Sequence, residues 1–357
     1  MVNHTHIKQA DVASQANVSR ASVSAVMNHS RPVSPRMRQR VLQAMHDLGY
    51  EPDAIARSLK LRRTHTIGML AANIFSPFYP AVARGAEDCA LEHHYTMFFN
   101  STDEKTSLQA QGIRLLLGRR VDGLILAPAA GTEPSMLQGL EASGIPTVLV
   151  DRTLAGTEFG SVTVDNETAA YRAVAHLIES GRRRIACLAI PTTVTTGRDR
   201  VAGFLRACAD AGLSPAPELI RSVSLTVADG LSQASELLSM KPRPDAIFAT
   251  NHSATLAALE ALDALGVAVP DEVALVGFDD MPWLALMRPS VTAIWQPMYE
   301  IGYRAVEQTI RLIEDPESGP VQTVLLTSLV ERESCGCQRR AGTSPRPPEM
   351  VEIGPQP

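Results

Sequence analysis

The sequence of 357 residues lacks the marks of an exported or membrane-bound protein. No apolar run approaches the roughly 20 residues that a membrane-spanning helix needs, and the first residues contain no apolar stretch that would direct export. The five cysteines are scattered and odd in number, which is typical of a reducing compartment rather than a disulfide framework. These absences predict a cytoplasmic protein.

Common enzyme motifs are also missing. The sequence has no GxSxG elbow, no GxxxxGK(S/T) phosphate loop, no GxGxxG after the first predicted strand and no HExxH. Cys335 and Cys337 stand one glycine apart, but no second ligand pair follows at zinc-site spacing, so we expect them to be structural or incidental. We predict no enzyme, no catalytic residue, no metal and no cofactor; a sugar-modifying enzyme remains an alternative.

Charge is distributed unevenly along the chain. Residues 1–63 contain ten lysines and arginines and four acidic residues, a net charge of +6, which leaves −11 for the remainder. A basic segment on an acidic body indicates a polyanionic partner for that segment alone. Binding to double-stranded DNA, weakened by salt, is the simplest interpretation.

Residues 11–28, DVASQANVSRASVSAVMN, have the pattern of a helix-turn-helix. Asn17 stands where a sharp turn needs the left-handed backbone conformation, and Ser19 is positioned to cap the second helix. The first helix has an apolar stripe of Val12, Ala13 and Ala16. In the second helix Val23, Val26 and Met27 are predicted to point inward, and Arg20, Ala21, Ser22, Ala25 and Asn28 outward. Such a pair fits the major groove, although a helical hairpin within a bundle has the same local signature.

A third helix and a short linker helix are expected next. Ser34 caps the third helix and Gly49 ends it, with an apolar stripe of Val41, Leu42, Met45 and Leu48. Beyond it, Asp53 precedes a short helix over 54–60 that carries Leu59 beside Arg57 and Lys60. An apolar side chain flanked by cations suits a wedge in the minor groove, and a linker that frays is the alternative.

From Thr66 onward, short apolar strands alternate with amphipathic helices. Helices are predicted at 78–93, 105–118, 134–143, 167–180, 199–211, 228–240, 253–265 and 298–313. Apolar strands separated by helices predict parallel sheets covered on both faces, and the series restarts near Asn166. The fold class is therefore α/β: an N-terminal three-helix helix-turn-helix domain with a hinge helix, then two lobes, each a doubly wound parallel sheet.

Polar residues follow many of the predicted strands. They are Asn73, Asp151, Asp165, Asn251, Asp279 and Gln296. Ligands of such sheets bind outside the carboxyl ends of the strands. We therefore expect these side chains to meet in a cleft between the lobes.

The sequence resembles the lactose-repressor/purine-repressor (LacI/GalR) family of bacterial transcription regulators over residues 7–334. The segments that carry the resemblance include DVA…VSRASVSAVMN, RVDGLIL, GIPTVLVDR, PDAIFATN and LGVAVPDEVALVGFDD. It implies a homodimeric repressor that reads a near-palindromic operator, with a periplasmic-binding-protein-like domain holding a small effector, a sugar or a sugar derivative. A transport-type sugar receptor is the second alternative, but the +6 segment argues against it.

The resemblance also implies roles for individual residues. For DNA binding these are Ser19, Arg20, Ala21, Ser22, Ala25, Asn28, Arg57 and Leu59. Arg20 and Ala21 should face bases, with Ser22 and Asn28 nearer phosphates. Ala25 stands where many members have an arginine that reads guanine, which puts the usual central operator contact in doubt. Leu59 matches the leucine that wedges between base pairs.

For effector binding, the residues implied are Asn73, Phe78, Tyr79, Asp151, Arg152, Arg200, Asn251, Asp279 and Gln296. Each has a plainer alternative: Asp279 capping a turn, Asp151 pairing with Arg152, or Phe78 lying in the core. Two positions depart from the family pattern, since His252 replaces an aspartate and Leu225 an aromatic residue. His252 is expected to be a satisfied loop histidine.

These interpretations predict four segments. Residues 1–52 form the helix-turn-helix domain and 53–65 the hinge helix and linker. Residues 66–337 form the effector domain, with an N-lobe of about 66–165 plus 296–325 and a C-lobe of about 166–295 plus 326–337. Residues 338–357 are predicted to be a disordered tail.

Overall fold

The computed structural model describes residues 7–28, 31–50, 63–224 and 227–337, with only the backbone described at Asn28, Val227 and Ala228. The chain divides into two compact units between Thr64 and His65. Arg57, Leu59, Leu225 and the predicted tail lie outside the described residues. In the described ranges, no helix is long and apolar enough to cross a membrane.

The first unit contains three helices, α1 (Gln9–Gln15), α2 (Arg20–Asn28) and α3 (Pro35–Leu48). The predicted local signals hold: Asn17 has φ 50°, the Ser19 Oγ accepts the Ser22 N–H at 3.1 Å, and Gly49 ends α3 in the left-handed conformation. The helices bury a common core of Val12, Ala13, Ala16, Val23, Val26, Val41 and Ala44. The predicted three-helix arrangement is confirmed.

Three exposure predictions in this unit are wrong. Ser22 and Ala25 were expected to point outward, but they are 7% and 2% exposed. Successive residues are about 100° apart around a helix, so Ser22 and Ala25 lie on the same side as Val26. On α3, Leu42 is exposed and Ala44 takes its place in the core.

The N-terminal lobe of the second unit is built on a fully parallel sheet in the order β11-β5-β4-β3-β1-β2. Its strands are β1 (Thr66–Ala71), β2 (Thr96–Ser101), β3 (Gly123–Leu126), β4 (Thr147–Val150), β5 (Gly160–Val164) and β11 (Gln322–Leu325). Its helices are α4 (Phe78–Glu92), α5 (Thr106–Gly118), α6 (Gln138–Ala142) and α11 (Met298–Glu314). Gly85 and Gly302 let α4 and α11 touch, since a Cβ on either would collide with the backbone of the other helix.

The C-terminal lobe repeats this plan in the order β12-β10-β9-β8-β6-β7. Its strands are β6 (Ile185–Ala189), β7 (Ile220–Ser222), β8 (Ala246–Ala249), β9 (Ala274–Phe278), β10 (Thr292–Trp295) and β12 (Ser328–Val330). Its helices are α7 (Asn166–Glu179), α8 (Thr195–Asp210), α9 (Val227–Ser239) and α10 (His252–Ala264). All strand pairs are parallel except β10 with β12.

The two-lobed parallel α/β prediction is confirmed, with differences in detail. Strands β11 and β12 were not predicted, because both are short and only partly buried. Helix α8 begins four residues before the predicted residue 199. The predicted helix over 134–143 is a 3₁₀ turn (Pro134–Leu137) running into α6.

Candidate functional site

A cleft lies where the carboxyl ends of the strands of the two lobes face each other. It encloses about 480 Å³, part of which is open to solvent. All nine residues named for effector binding line it: Asn73, Phe78, Tyr79, Asp151, Arg152, Arg200, Asn251, Asp279 and Gln296. Five of the six strand-end residues are among these nine, and the other four were named from the family resemblance. Asp165 is not among the lining residues; it pairs with Arg172 and binds the Thr327 backbone.

Sequence reasoning left several lining residues unassigned. They are Ser76, Glu104, Ile190, Thr196, His252 and Ser253. Two of them had a usable signal. Glu104 follows β2 just as Asn73 follows β1, and Thr196 lies one helical turn before Arg200.

On the N-terminal side of the cleft, Arg152 is a buried cation held in place by its neighbours. Its two terminal nitrogens donate to both Glu104 carboxylate oxygens at 2.7 and 2.8 Å, and Nη1 also donates to the Pro128 carbonyl at 2.9 Å. Its Nε lies 3.4 Å from Asp151 Oδ2, so the plainer pairing alternative is also realised. This two-pronged contact fixes the guanidinium plane.

Tyr79 and Asp151 form a hydrogen-bonded pair beside Arg152. The phenol donates to Asp151 Oδ2 at 3.0 Å. Burial raises the pKa of Asp151 above its usual value, although the positive charges of Arg152 and Arg200 oppose that shift. Burial, followed by the charge of Asp151, also raises the pKa of Tyr79. The phenol therefore stays protonated at neutral pH and acts as a hydrogen-bond donor.

Phe78 lies next to Tyr79, and its ring meets the tyrosine ring edge-on at 5.1 Å between centroids. It is only 5% exposed and belongs to the hydrophobic core of the N-terminal lobe. The core alternative is therefore correct, and the ring also reaches the cleft wall.

On the C-terminal side, Arg200 is a buried cation whose position three contacts define. Its Nε donates to Asn166 Oδ1 at 2.8 Å and its Nη1 to the Thr250 carbonyl at 2.6 Å. The guanidinium carbon lies 3.6 Å from the centroid of the Phe278 ring. Burial lowers the pKa of Arg200, and the charges of Asp279 and Asp151 oppose that effect.

Asp279 follows β9 and hydrogen-bonds to residues that follow the strands on either side of it, β8 and β10. Its Oδ2 accepts the His252 N–H at 3.0 Å and lies 3.3 Å from His252 Nδ1, while Oδ1 accepts the Gln296 amide. Burial alone would raise the pKa of Asp279, but the His252 hydrogen bond and the charge of Arg200 outweigh it and lower the pKa. His252 Nε2 contacts Ser253 Oγ at 3.0 Å, so both ring nitrogens have partners.

Asn73 and Asn251 also serve local structure. The Asn73 Oδ1 accepts the Phe75 N–H at 2.9 Å, and the Asn251 Oδ1 accepts the Ala254 N–H at 2.8 Å to cap α10. Gln296 Oε1 is buried and has no hydrogen-bond partner in the described part of the chain. An unsatisfied buried acceptor is costly unless a ligand or water donates to it.

In the first unit, Arg20 and Ala21 are exposed at the start of α2. Ser19 and Ser22 bind each other through their hydroxyls at 3.0 Å, and Ala25 is buried. Ser24 is half-buried and lies between Arg20 and Ala21 around the helix axis. Sequence reasoning missed it, although helical periodicity alone places it on that side.

Comparisons with known proteins cover both units. A family described as "Bacterial regulatory proteins, lacI family" matches residues 9–53, and one described as "Periplasmic binding protein-like domain" matches residues 174–335. The chain is 34% identical over 309 residues to the HTH-type transcriptional repressor PurR of Aliivibrio fischeri (strain MJ11), covering 86% of this chain and 92% of that protein. It is 32% identical over 324 residues to the ribose operon repressor of Escherichia coli (strain K12), covering 91% and 98%.

Among solved structures, one described as "transcriptional regulator CelR-cellobiose complex" is similar. It has 30% sequence identity and a TM-score of 0.70, and the match covers 92% of this chain and 99% of that one.

Proposed function

The chain belongs to the lacI family of bacterial regulatory proteins and is a DNA-binding transcription regulator rather than an enzyme; on that premise, we propose that it is a homodimeric repressor controlled by a carbohydrate. In this proposal the carbohydrate binds in the cleft, and its binding changes the affinity of the dimer for a near-palindromic operator. The regulator works in the cytoplasm, where the chromosomal operator is found.

The observation that carries the effector proposal is the set of fixed polar groups around the cleft. Arg152 and Arg200 are buried and hydrogen-bonded, and Asp151 and Asp279 stand at the ends of strands in opposite lobes. Adjacent hydroxyls of a sugar offer both donors and acceptors, so carboxylates and guanidinium groups bind them in pairs. The unsatisfied Gln296 Oε1 adds an acceptor for a further hydroxyl.

Two relatives support a carbohydrate over other metabolites. One similar structure is a cellobiose complex, and one relative is a ribose operon repressor. A nucleobase is the competing effector, because a repressor named PurR is also among the relatives.

For the operator, we propose that Arg20, Ala21 and Ser24 face the bases. They share the side of α2 opposite Val26, and Arg20 is the longest donor among them. Arginine reads guanine by two parallel hydrogen bonds in the major groove. Arg20 would then supply the contact that Ala25 cannot make.

Control is proposed to work through linkage between the cleft and the hinge. An effector that prefers one arrangement of the lobes shifts the equilibrium between operator-binding and free forms. Its effect on operator affinity cannot exceed its own preference for one form, typically about 1–3 kcal/mol. The sign of the effect, release or tightening, follows from which form the ligand prefers.

A thermal-unfolding screen of the purified chain against monosaccharides, disaccharides, polyols and nucleobases tests the effector class. A ligand at about 100 times its Kd should stabilise the folded chain by about 2.7 kcal/mol. Any ligand that stabilises the chain is then titrated into the complex between the chain and its operator. That operator is selected beforehand from a pool of random duplexes. A hit confined to nucleobases, or a carbohydrate hit that leaves operator affinity unchanged, contradicts the proposal.

A further inference from the structure

Three metal-ligating side chains meet in the C-terminal lobe, away from the cleft. The ligand atoms of His176, Cys335 and Cys337 all lie within 4.8 Å of one another. His176 is in the last turn of α7, and the cysteines belong to and follow a 3₁₀ turn (Glu333–Cys335) after β12. Cys335 is fully buried, while His176 and Cys337 are partly exposed, so the cluster can be reached from solvent.

The two thiols point to the same place. Gly336 between them has φ 75°, a left-handed conformation that favours glycine. The Cys335 and Cys337 Sγ atoms are 2.7 Å apart, and they lie 3.2 and 3.9 Å from the Arg332 carbonyl oxygen. Two sulfur atoms on a single short loop are thus brought to the same place.

His176 is oriented as a third ligand. Its Nδ1 lies 4.0 Å from the Glu331 carboxylate. Its Nε2 is buried and has no partner at hydrogen-bond geometry among the described residues. A carboxylate near one ring nitrogen and an open second nitrogen is the arrangement that metal-binding histidines show.

We propose that His176, Cys335 and Cys337 bind a thiophilic divalent ion, with Zn²⁺ the expected occupant. Two thiolates and one imidazole are a donor set that zinc prefers, and water completes the fourth position. Two sulfurs at 2.3 Å from a tetrahedral zinc lie roughly 3.7 Å apart, so the half-exposed Cys337 must move outward by about 1 Å.

The bound ion would tie α7 to the segment after β12. It would therefore stabilise the C-terminal lobe against unfolding.

The test uses the full chain, reduced and then freed of metal by a chelator. We expect one Co²⁺ per chain to produce a near-ultraviolet thiolate-to-cobalt charge-transfer band, which one equivalent of Zn²⁺ abolishes. Competition with a chromophoric chelator gives the zinc Kd. His176→Gln and Cys337→Ser should each weaken zinc binding at least about tenfold, the smallest loss seen even for outer-shell partners.

Two control variants separate this cluster from other histidines and thiols. His93 stands at the end of α4 with its Nδ1 3.9 Å from the Cys89 Sγ, but no second thiol is near it among the described residues. Zinc affinity should be unchanged in His93→Gln and in Cys208→Ala.

The proposal is overturned if the reduced chain shows no cobalt band, or if His176→Gln, shown by circular dichroism to be folded, binds zinc as tightly as the parent. A chain that forms a Cys335–Cys337 disulfide in air and binds no Zn²⁺ after reduction likewise overturns it.

Discussion

Asp151 and Asp279 occupy equivalent positions in the two lobes, but their pKa values are shifted in opposite directions. Each directly follows a buried strand, and each has a left-handed backbone, with φ 67° and 71°. Burial raises the pKa of Asp151, whereas the His252 hydrogen bonds and Arg200 lower that of Asp279 despite burial. Non-glycine residues in this conformation are uncommon and cluster at functional sites.

Asp279→Asn should destabilise the chain at neutral pH by about 1–3 kcal/mol, because the His252 N–H and the buried Arg200 lose a charged partner. Asparagine tolerates the left-handed backbone, so the substitution adds no strain there. The lowered pKa means that the Asp279 carboxylate contributes stability above pH 3.8, the ordinary pKa of an aspartate, and that this contribution falls as the pH drops through the lowered pKa. Denaturant unfolding between neutral and acid pH measures the free energy of unfolding of parent and variant. The difference between them should shrink as the pH falls, and a difference that grows contradicts the assignment.

Asp151→Asn should show the opposite trend. The raised pKa means that the folded chain holds the proton of Asp151 more tightly than the unfolded chain does. The stability that this tighter proton binding contributes is fully present below pH 3.8, the ordinary pKa of an aspartate. It is lost as the pH rises through the raised pKa. The neutral asparagine escapes this loss, so the variant should gain stability relative to the parent as pH rises. The same unfolding series measures this gain. If the stabilities of Asp151→Asn and Asp279→Asn, each relative to the parent, change with pH in the same direction, the predicted contrast is refuted.

Arg200→Ala should abolish the response to effector while leaving operator binding intact. Its guanidinium lines the cleft and carries a charge that no other side chain on α8 brings there. Arg200→Lys keeps the charge but loses the planar contact with Phe278, and it should weaken effector binding less. Arg198→Ala, at an exposed position on the same helix, is the matched control. The measurement is the effector-induced change in operator affinity, and a full response in Arg200→Ala removes this residue from the site.

Arg20→Ala should cost about 1–3 kcal/mol of operator affinity and relax the preference at one base pair of each half-site. Arg36→Ala, at an exposed position on α3, should weaken all duplexes alike or none. Binding to operator variants and to random duplex over a range of salt separates the two cases. Uniform weakening by Arg20→Ala would make it a phosphate contact.

Leu59→Ala should lower affinity for the operator but spare binding to random duplex. Leu59 lies outside the described residues, so this prediction depends on the sequence and the family resemblance. A wedge acts only where the DNA kinks, whereas nonspecific binding depends on phosphate contacts. An equal loss on both duplexes would contradict the wedge.

The candidate site shows how far sequence reasoning reached. Residues such as Asn73, Asp151 and Asp279 were found because they follow apolar strands, and parallel strands all end at the same edge of a sheet. Glu104 was missed because it stands three residues beyond Ser101, the last residue of β2, and the strand-end argument named no residue there. Its pairing with Arg152 joins side chains that lie far apart in sequence but close in space.

Caps, turns and strand–helix alternation are local properties, so the sequence alone determined them: Asn17, Ser19, Ser34 and Gly49 behave as their chemistry requires. The antiparallel strand β12 and the approach of His176 to Cys335 were decided by tertiary structure. These features depend on which surfaces the packed elements present to one another. Packing is a property of the whole fold, so it cannot be predicted from a short stretch of sequence.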